Sequence, residues 1–221
     1  MTIKVAVDAL KETIDFFERM PEVANQAASL AINQVAQRKG LRLAQDAIYD
    51  QIAFPRDYLK GDRLGVSKFA KPTDLQAVIR ARKRATSLAR FAQGGVIGGG
   101  QFLKGGGRAA APTISVRVKA GGGSSVIRGA WLVRLNKGAS FDEDNYNVGL
   151  AVRVKKGDAV QGKKTGHKSW LVGGPEEGGV ALLYGPSVDQ VFRDVAGDIA
   201  DPILNLVSAE FFRQFTRLSG A

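Results

Sequence analysis

The sequence predicts an α+β fold: N-terminal helices, a central and largely antiparallel β-sheet carrying a long glycine-rich loop, and a C-terminal helix packed on the sheet. Three observations predict it. Apolar residues recur at helical spacing before residue 52 and again after residue 187. Between them, short runs alternate apolar and polar residues at the period of a strand. Glycine-rich turns separate those runs, the pattern of strands joined by hairpins. At 221 residues the chain is long enough for one substantial core. It reads as a single domain, 1–221, with a helical part over 1–60, a sheet over 63–185 and a helical part over 187–218.

Leu10, Ile14 and Phe17, separated by Lys11, Glu12, Asp15 and Glu18, predict a short amphipathic helix over 7–19 that ends at Pro21. A longer helix is expected from near Glu22 to about Ile52, its apolar face made by Val23, Ala27, Leu30, Ala31, Val35, Leu43 and Ile48. Ala24, Ala27, Ala28, Ala31 and Ala36 keep it slender, so another helix or a neighbouring subunit can approach closely. Gly40 weakens its middle by about 1 kcal/mol relative to alanine. Phe54 to Leu59 reads as a short helix or turn around Pro55.

Residues 63–69 are expected to pair with Leu75–Arg82 across the turn Lys71-Pro72-Thr73-Asp74. In the second of these strands Leu75, Ala77, Ile79 and Ala81 alternate with Gln76, Val78, Arg80 and Arg82, which gives it one basic face. From Gly94 to Gly107 the chain reads GGVIGGGQFLKGGG, eight glycines in fourteen residues. Such density costs too much backbone entropy to order alone, so a flexible loop is predicted. Its two apolar pairs, Val96-Ile97 and Phe102-Leu103, suggest docking on a partner.

Further strands are expected at Thr113–Lys119, Ser125–Leu135, Asn147–Val154 and Gly179–Tyr184, with a polar basic loop over Lys155–Gly166. Val188, Val191, Val195 and Ile199 open a C-terminal helix. Asp201-Pro202 then caps a continuation that carries Ile203, Leu206, Val207, Phe211, Phe215 and Leu218. One kinked helix and two separate ones both fit this pattern.

The formal net charge is +11, and it is unevenly placed. Residues 1–50 hold 6 basic and 7 acidic side chains, residues 51–110 hold 12 and 3, and residues 111–221 hold 14 and 11. Arg80, Arg82, Lys83, Arg84 and Arg90 fall within eleven residues with no acid among them. Such a patch suits a polyanion or an acidic protein surface, and is also compatible with a plain solvated face.

Chemistry is harder to find. There is no cysteine, so disulfides and thiolate metal sites are excluded and a reducing cytoplasm is permitted. His167 is the single histidine, and no acid stands near it in sequence to orient an imidazole. Gly162 to Ser169 has the wrong spacing for a phosphate loop, and Asp142-Glu143-Asp144 lacks the ligand spacing of a calcium loop. Trp131, Trp170 and Tyr184 read as core or interface anchors. No catalytic, cofactor-binding or metal-binding residue is assigned, and no enzyme is expected. The first twenty residues mix acids with apolar residues, unlike a signal peptide, and no window is apolar enough to suggest a membrane partner.

Four stretches carry a likeness to a known family: Ala31-Ile32-Asn33-Gln34-Val35-Ala36, Tyr58-Leu59 with Arg63-Leu64-Gly65-Val66, Ala77 to Phe91 ending Thr-Ser-Leu-Ala-Arg-Phe, and Gly129-Ala130-Trp131. On these the chain resembles the minor tail protein Z family of tailed bacteriophages, the family of the lambda tail-completion protein. Trp131 stands where phenylalanine is expected, and 94–107 looks like an insertion peculiar to this sequence.

The resemblance implies a non-enzymatic virion protein of the neck or upper tail, made in the host cytoplasm and needing no cofactor. It implies a homo-oligomeric ring, a hexamer, that completes the tail for head–tail joining and helps position the genome end. Its neighbours would be tail terminator, tail tube or connector proteins. Arg80, Arg82, Lys83, Arg84 and Arg90 would then face DNA in the lumen or acids on an adjacent subunit, and Val96, Ile97, Phe102 and Leu103 would dock the loop. The alternative is a cytoplasmic nucleic-acid-binding protein that uses the same Arg80–Arg90 patch.

Overall fold

The computed structural model describes residues 2–4, 21–93, 113–135, 147–157, 170–174 and 176–219. The helix expected over 7–19, the loop 94–107 with Val96, Ile97, Phe102 and Leu103, the acidic run 142–144 and the loop carrying His167 lie outside the described residues. In chain order the elements are β1 (Thr2–Lys4), α1 (Pro21–Val35), α2 (Leu41–Gln51), β2 (Leu64–Lys68), β3 (Val78–Ala81), β4 (Ala85–Ser87), β5 (Ala92–Gln93), β6 (Thr113–Val116), β7 (Ser125–Arg128), β8 (Ala130–Leu135), β9 (Asn147–Val154), β10 (Trp170–Gly174), β11 (Gly178–Ser187) and α3 (Val188–Ser219). The class is α+β, as the sequence predicts, and among the described residues every strand pair is antiparallel.

The chain forms two compact units. The first comprises Met1–Gln51, Arg56–Arg84 and Val188–Ala221; the second comprises Ile52–Pro55 and Ala85–Ser187. In the first, β3 lies between β1 and β2. The β2–β3 hairpin is the expected one, and its turn is closed by reciprocal backbone hydrogen bonds of 2.9 Å between Lys71 and Asp74. The part read as helical, 1–60, opens with a strand ahead of the expected helices. Thr2, Ile3 and Lys4 pair with Arg80, Ile79 and Val78, satisfying the backbone edge of β3 that β2 leaves open.

Pro21 is the first residue of α1, where its fixed φ and missing N–H fit a helix start. The long helix then departs from regular geometry over Ala36–Gly40, which is a π-helical turn, and continues as α2. Gly40 is buried, and a Cβ there would stand 3.1 Å from the Val35 carbonyl oxygen and 3.8 Å from Ile203 Cδ1. The glycine thus permits a widened turn where α3 comes close.

α3 is one continuous helix of 32 residues with Pro202 inside it. It runs against α1, whose Ala24, Ala27, Ala28 and Ala31 are almost fully buried, so the small side chains serve a helix of the same chain. Gln34 meets Gln214 while Gly40 meets Ile203, so the two chain directions oppose each other. Phe192 and Phe211 fill this core, and α3 also packs on β3.

In the second unit the order β10–β11–β9–β8 forms one sheet, β4 pairs with the end of β11, and β5–β6–β7 forms another. The single sheet expected over 63–185 is therefore three sheets. The run Ser125–Leu135 breaks at Gly129, whose φ of 70° turns the chain so that β7 pairs with β6 and β8 with β9. Phe54 and Phe91 pack with ring centroids 5.4 Å apart, and Ile114, Leu150 and Ala181 are buried. β10 was not expected, and β11 runs past the expected Gly179–Tyr184 at both ends.

Candidate functional site

The basic stretch begins as a strand and stops being one at Ala81. The backbone then leaves the sheet: the Arg82 N–H donates to the Arg63 carbonyl at 2.8 Å, and the Arg82 carbonyl accepts from the Asp189 N–H at 3.1 Å. Strand β3 is thereby tied to the 3-10 turn Gly61–Arg63 on one side and to the first turn of α3 on the other. A cleft of about 630 Å³ opens at this junction, within the first unit. Arg80, Arg82 and Lys83 line it with Gly61, Asp62, Gly65, Val66, Ser67, Ala81 and Asp189.

Its width follows from register. Arg80 is opposite Gly65 on β2, so no side chain crosses from the partner strand, and Gly61 adds none at the mouth. Gly61 has φ of 70°, the left-handed region that glycine enters without penalty.

The cations divide into two kinds. Arg80, Lys83 and Arg84 are exposed, and among the described residues none makes an ion pair or a side-chain hydrogen bond. Elsewhere in this unit exposed charges do pair: Arg42 with Asp46 at 3.7 Å, Lys60 with Asp57 at 2.8 Å, Lys68 with Asp74 at 2.6 Å. Arg82 is different. Its Nη2 donates to the Tyr58 hydroxyl at 2.6 Å, while Arg63 lies over the Tyr58 ring with its Cζ 4.4 Å from the centroid. Arg63 also donates from Nη1 to the Tyr58 carbonyl at 3.0 Å. Tyr58 thus holds two guanidinium groups, one by its ring face and one by its oxygen. The Nε atoms of both arginines are buried without a hydrogen-bond partner, so the clamp is held at the cost of two unsatisfied donors.

Two acids stand at the cleft. Asp62 is exposed. Asp189 is 4% exposed, and the Arg193 guanidinium meets its carboxylate at 2.8 Å. Burial acts to raise the Asp189 carboxyl; hydrogen bonding and nearby positive charge, that of Arg193 included, outweigh it and hold the group below the ordinary carboxylate range. Asp57, just before Tyr58, is also held below that range, first by a hydrogen bond from Lys60 and then by its charge.

The five cations singled out in the sequence are therefore not one strand face. Arg80 is on β3; Arg82, Lys83 and Arg84 follow it; Arg90 is half-buried in the 3-10 helix Leu88–Phe91 of the second unit. The alternation over Leu75–Arg82 overruns the strand at both ends: the strand starts only at Val78, and it stops at Ala81, where the Arg63 and Asp189 backbones take over the pairing of Arg82. Sequence reading also missed the parts played by Tyr58, Arg63, Gly65 and Asp189. The first three fall in one short stretch, 58–65, whose local pattern shows only a turn and a strand; Asp189 carried no signal.

Among the described residues no three histidine, aspartate or glutamate side chains converge to hold a metal ion, and no helix is long and apolar enough to cross a membrane. Trp131, Trp170 and Tyr184 are each half-buried. Comparison with protein-family models, with curated proteins and with solved structures finds no match for this chain.

Proposed function

We propose that the chain is a non-enzymatic assembly protein that forms a homo-oligomeric ring and completes a phage tail for head–tail joining, as its resemblance to the minor tail protein Z family implies. One observation carries the assembly part: Arg80 and Lys83 line an open cleft, Arg84 is exposed next to Lys83 in the chain, and among the described residues none of the three makes an ion pair. Three such cations crowded together repel one another. A facing anion in an assembly would turn that repulsion into attraction, and it would act on partner choice and association rate more than on folding.

The competing reading takes DNA as the anion. Asp62 and Asp189 at the same cleft weigh against it, since a duplex carries a charge about every 1.7 Å and cannot route its backbone around two carboxylates. A protein carboxylate is a point and can be placed.

The test is to change Arg80, Lys83 and Arg84 together to alanine in the intact phage, leaving Arg82 in its clamp. The account expects normal protein levels but few joined, infectious particles. Unchanged particle yield and infectivity would reject it.

A further inference from the structure

The cleft needs an anion, and the same chain offers one on a described element of the second unit. β10 and β11 form a hairpin whose turn carries Glu176 and Glu177. Both are exposed, and among the described residues neither makes an ion pair or a hydrogen bond. Two adjacent carboxylates at the tip of a hairpin repel each other just as the three cations do. The turn is held in a shape only glycine permits. Gly173, Gly178 and Gly179 have φ of 78°, 73° and 149°, and a Cβ on Gly173 or Gly179 would lie 2.1 Å from a carbonyl oxygen of the facing strand. Below the tip, Leu171 and Val172 are 44% and 65% exposed, two successive large apolar residues where the pairing of β10 with β11 shifts register.

We propose that the cleft at Arg80 and Lys83 receives the Glu176-Glu177 hairpin tip of a second copy of the chain. This deepens the ring reading and rests on it. Glycines 173, 174, 178 and 179 flank the tip, and the β2 residue opposite Arg80 is Gly65, so no β2 side chain stands against Arg80 itself. Arg80 and Lys83 offer the two carboxylates opposite charges, with Arg84 exposed next in the chain; of the two acids that line the same cleft, Asp189 is already paired with Arg193, and the tip must enter on the side away from Asp62. Val172, the more exposed of the two, follows the tip and loses its exposure against the partner. Because donor and acceptor are different surfaces, the contact is heterologous, and repeating it head to tail closes a ring when the rotation per copy allows.

The experiment is a charge exchange read by light scattering of the purified full chain. Glu176→Lys with Glu177→Lys, and separately Arg80→Glu with Lys83→Glu, should each weaken self-association at least about tenfold by setting like charges together. The chain with all four changes should assemble as the wild type does. All four positions are exposed, so the circular dichroism of each variant should match the wild type. A carbodiimide should also join Lys83 of one copy to Glu176 or Glu177 of an isotopically labelled copy. If the wild type assembles but the fourfold variant does no better than either double variant, or the double variants assemble normally, this contact is wrong and the ring stands. If the wild type itself stays monomeric, both fall.

Discussion

Tyr58 is the residue on which the candidate site turns. Its ring supports Arg63 and its hydroxyl holds Arg82, which aims the end of β3 towards the first turn of α3. Removing the hydroxyl alone separates these roles. In Tyr58→Phe the Arg63 stacking survives, but Arg82, whose Nε already lacks a partner, loses its 2.6 Å hydrogen bond as well. A hydrogen bond to a charged group contributes about 1.5 to 3 kcal/mol, so the unfolding free energy should fall by that much, seen as a lower urea midpoint with an unchanged slope. An unaltered midpoint would mean the clamp contributes nothing. The sequence displays the arginines plainly because their density is local. It hides Tyr58 because the partner of Arg82 is 24 residues away, and only the register of β2 on β3 brings the two together.

At the scale of elements, legibility followed the same division between local pattern and distant contact. The helix expected from Glu22 to Ile52 exists with close to the expected limits, because its alanine and leucine spacing is continuous. Its π turn was not visible, since what demands it is the approach of α3 from 163 positions further on, where Ile203 meets Gly40. Propensity alone predicts that Gly40→Ala stabilises by about 1 kcal/mol. The packing argues the reverse, because the new Cβ would press on the Val35 carbonyl oxygen at 3.1 Å and overpacking typically costs about 1 to 3 kcal/mol. Thermal unfolding of Gly40→Ala should therefore show a lower Tm. A raised Tm would mean that the turn relaxes to an ordinary helix at no cost.

The β10–β11 hairpin shows the opposite limit. Its residues read LVGGPEEGGV, a stretch that looks like a loop by composition. It is nevertheless a hairpin, since three glycines at positive φ let the two backbones come within contact that no side chain would allow. Glycine usually weakens a strand; here it is what permits the pairing. The C-terminal pattern left one helix or two open, and α3 is one, with Pro202 exposed on its outer side.

Considered as a whole, the molecule carries +11, and most of that excess falls in residues 51–110, the stretch that supplies Arg80, Arg82 and Lys83 to the cleft. Its α+β class was legible because helical and strand periods occupy separate parts of the chain. The partition into three sheets was not, because a single glycine, Gly129, decides where one ends. Nor does periodicity say what an unpartnered surface meets; only exposure and charge in three dimensions raise that question.

The most direct test is the mass of the purified wild-type protein in the absence of nucleic acid, followed by light scattering over a range of concentrations and imaged by electron microscopy. The account predicts a closed ring of uniform copy number. A monomer at every concentration, with an affinity for duplex DNA that falls steeply as salt rises, would contradict it.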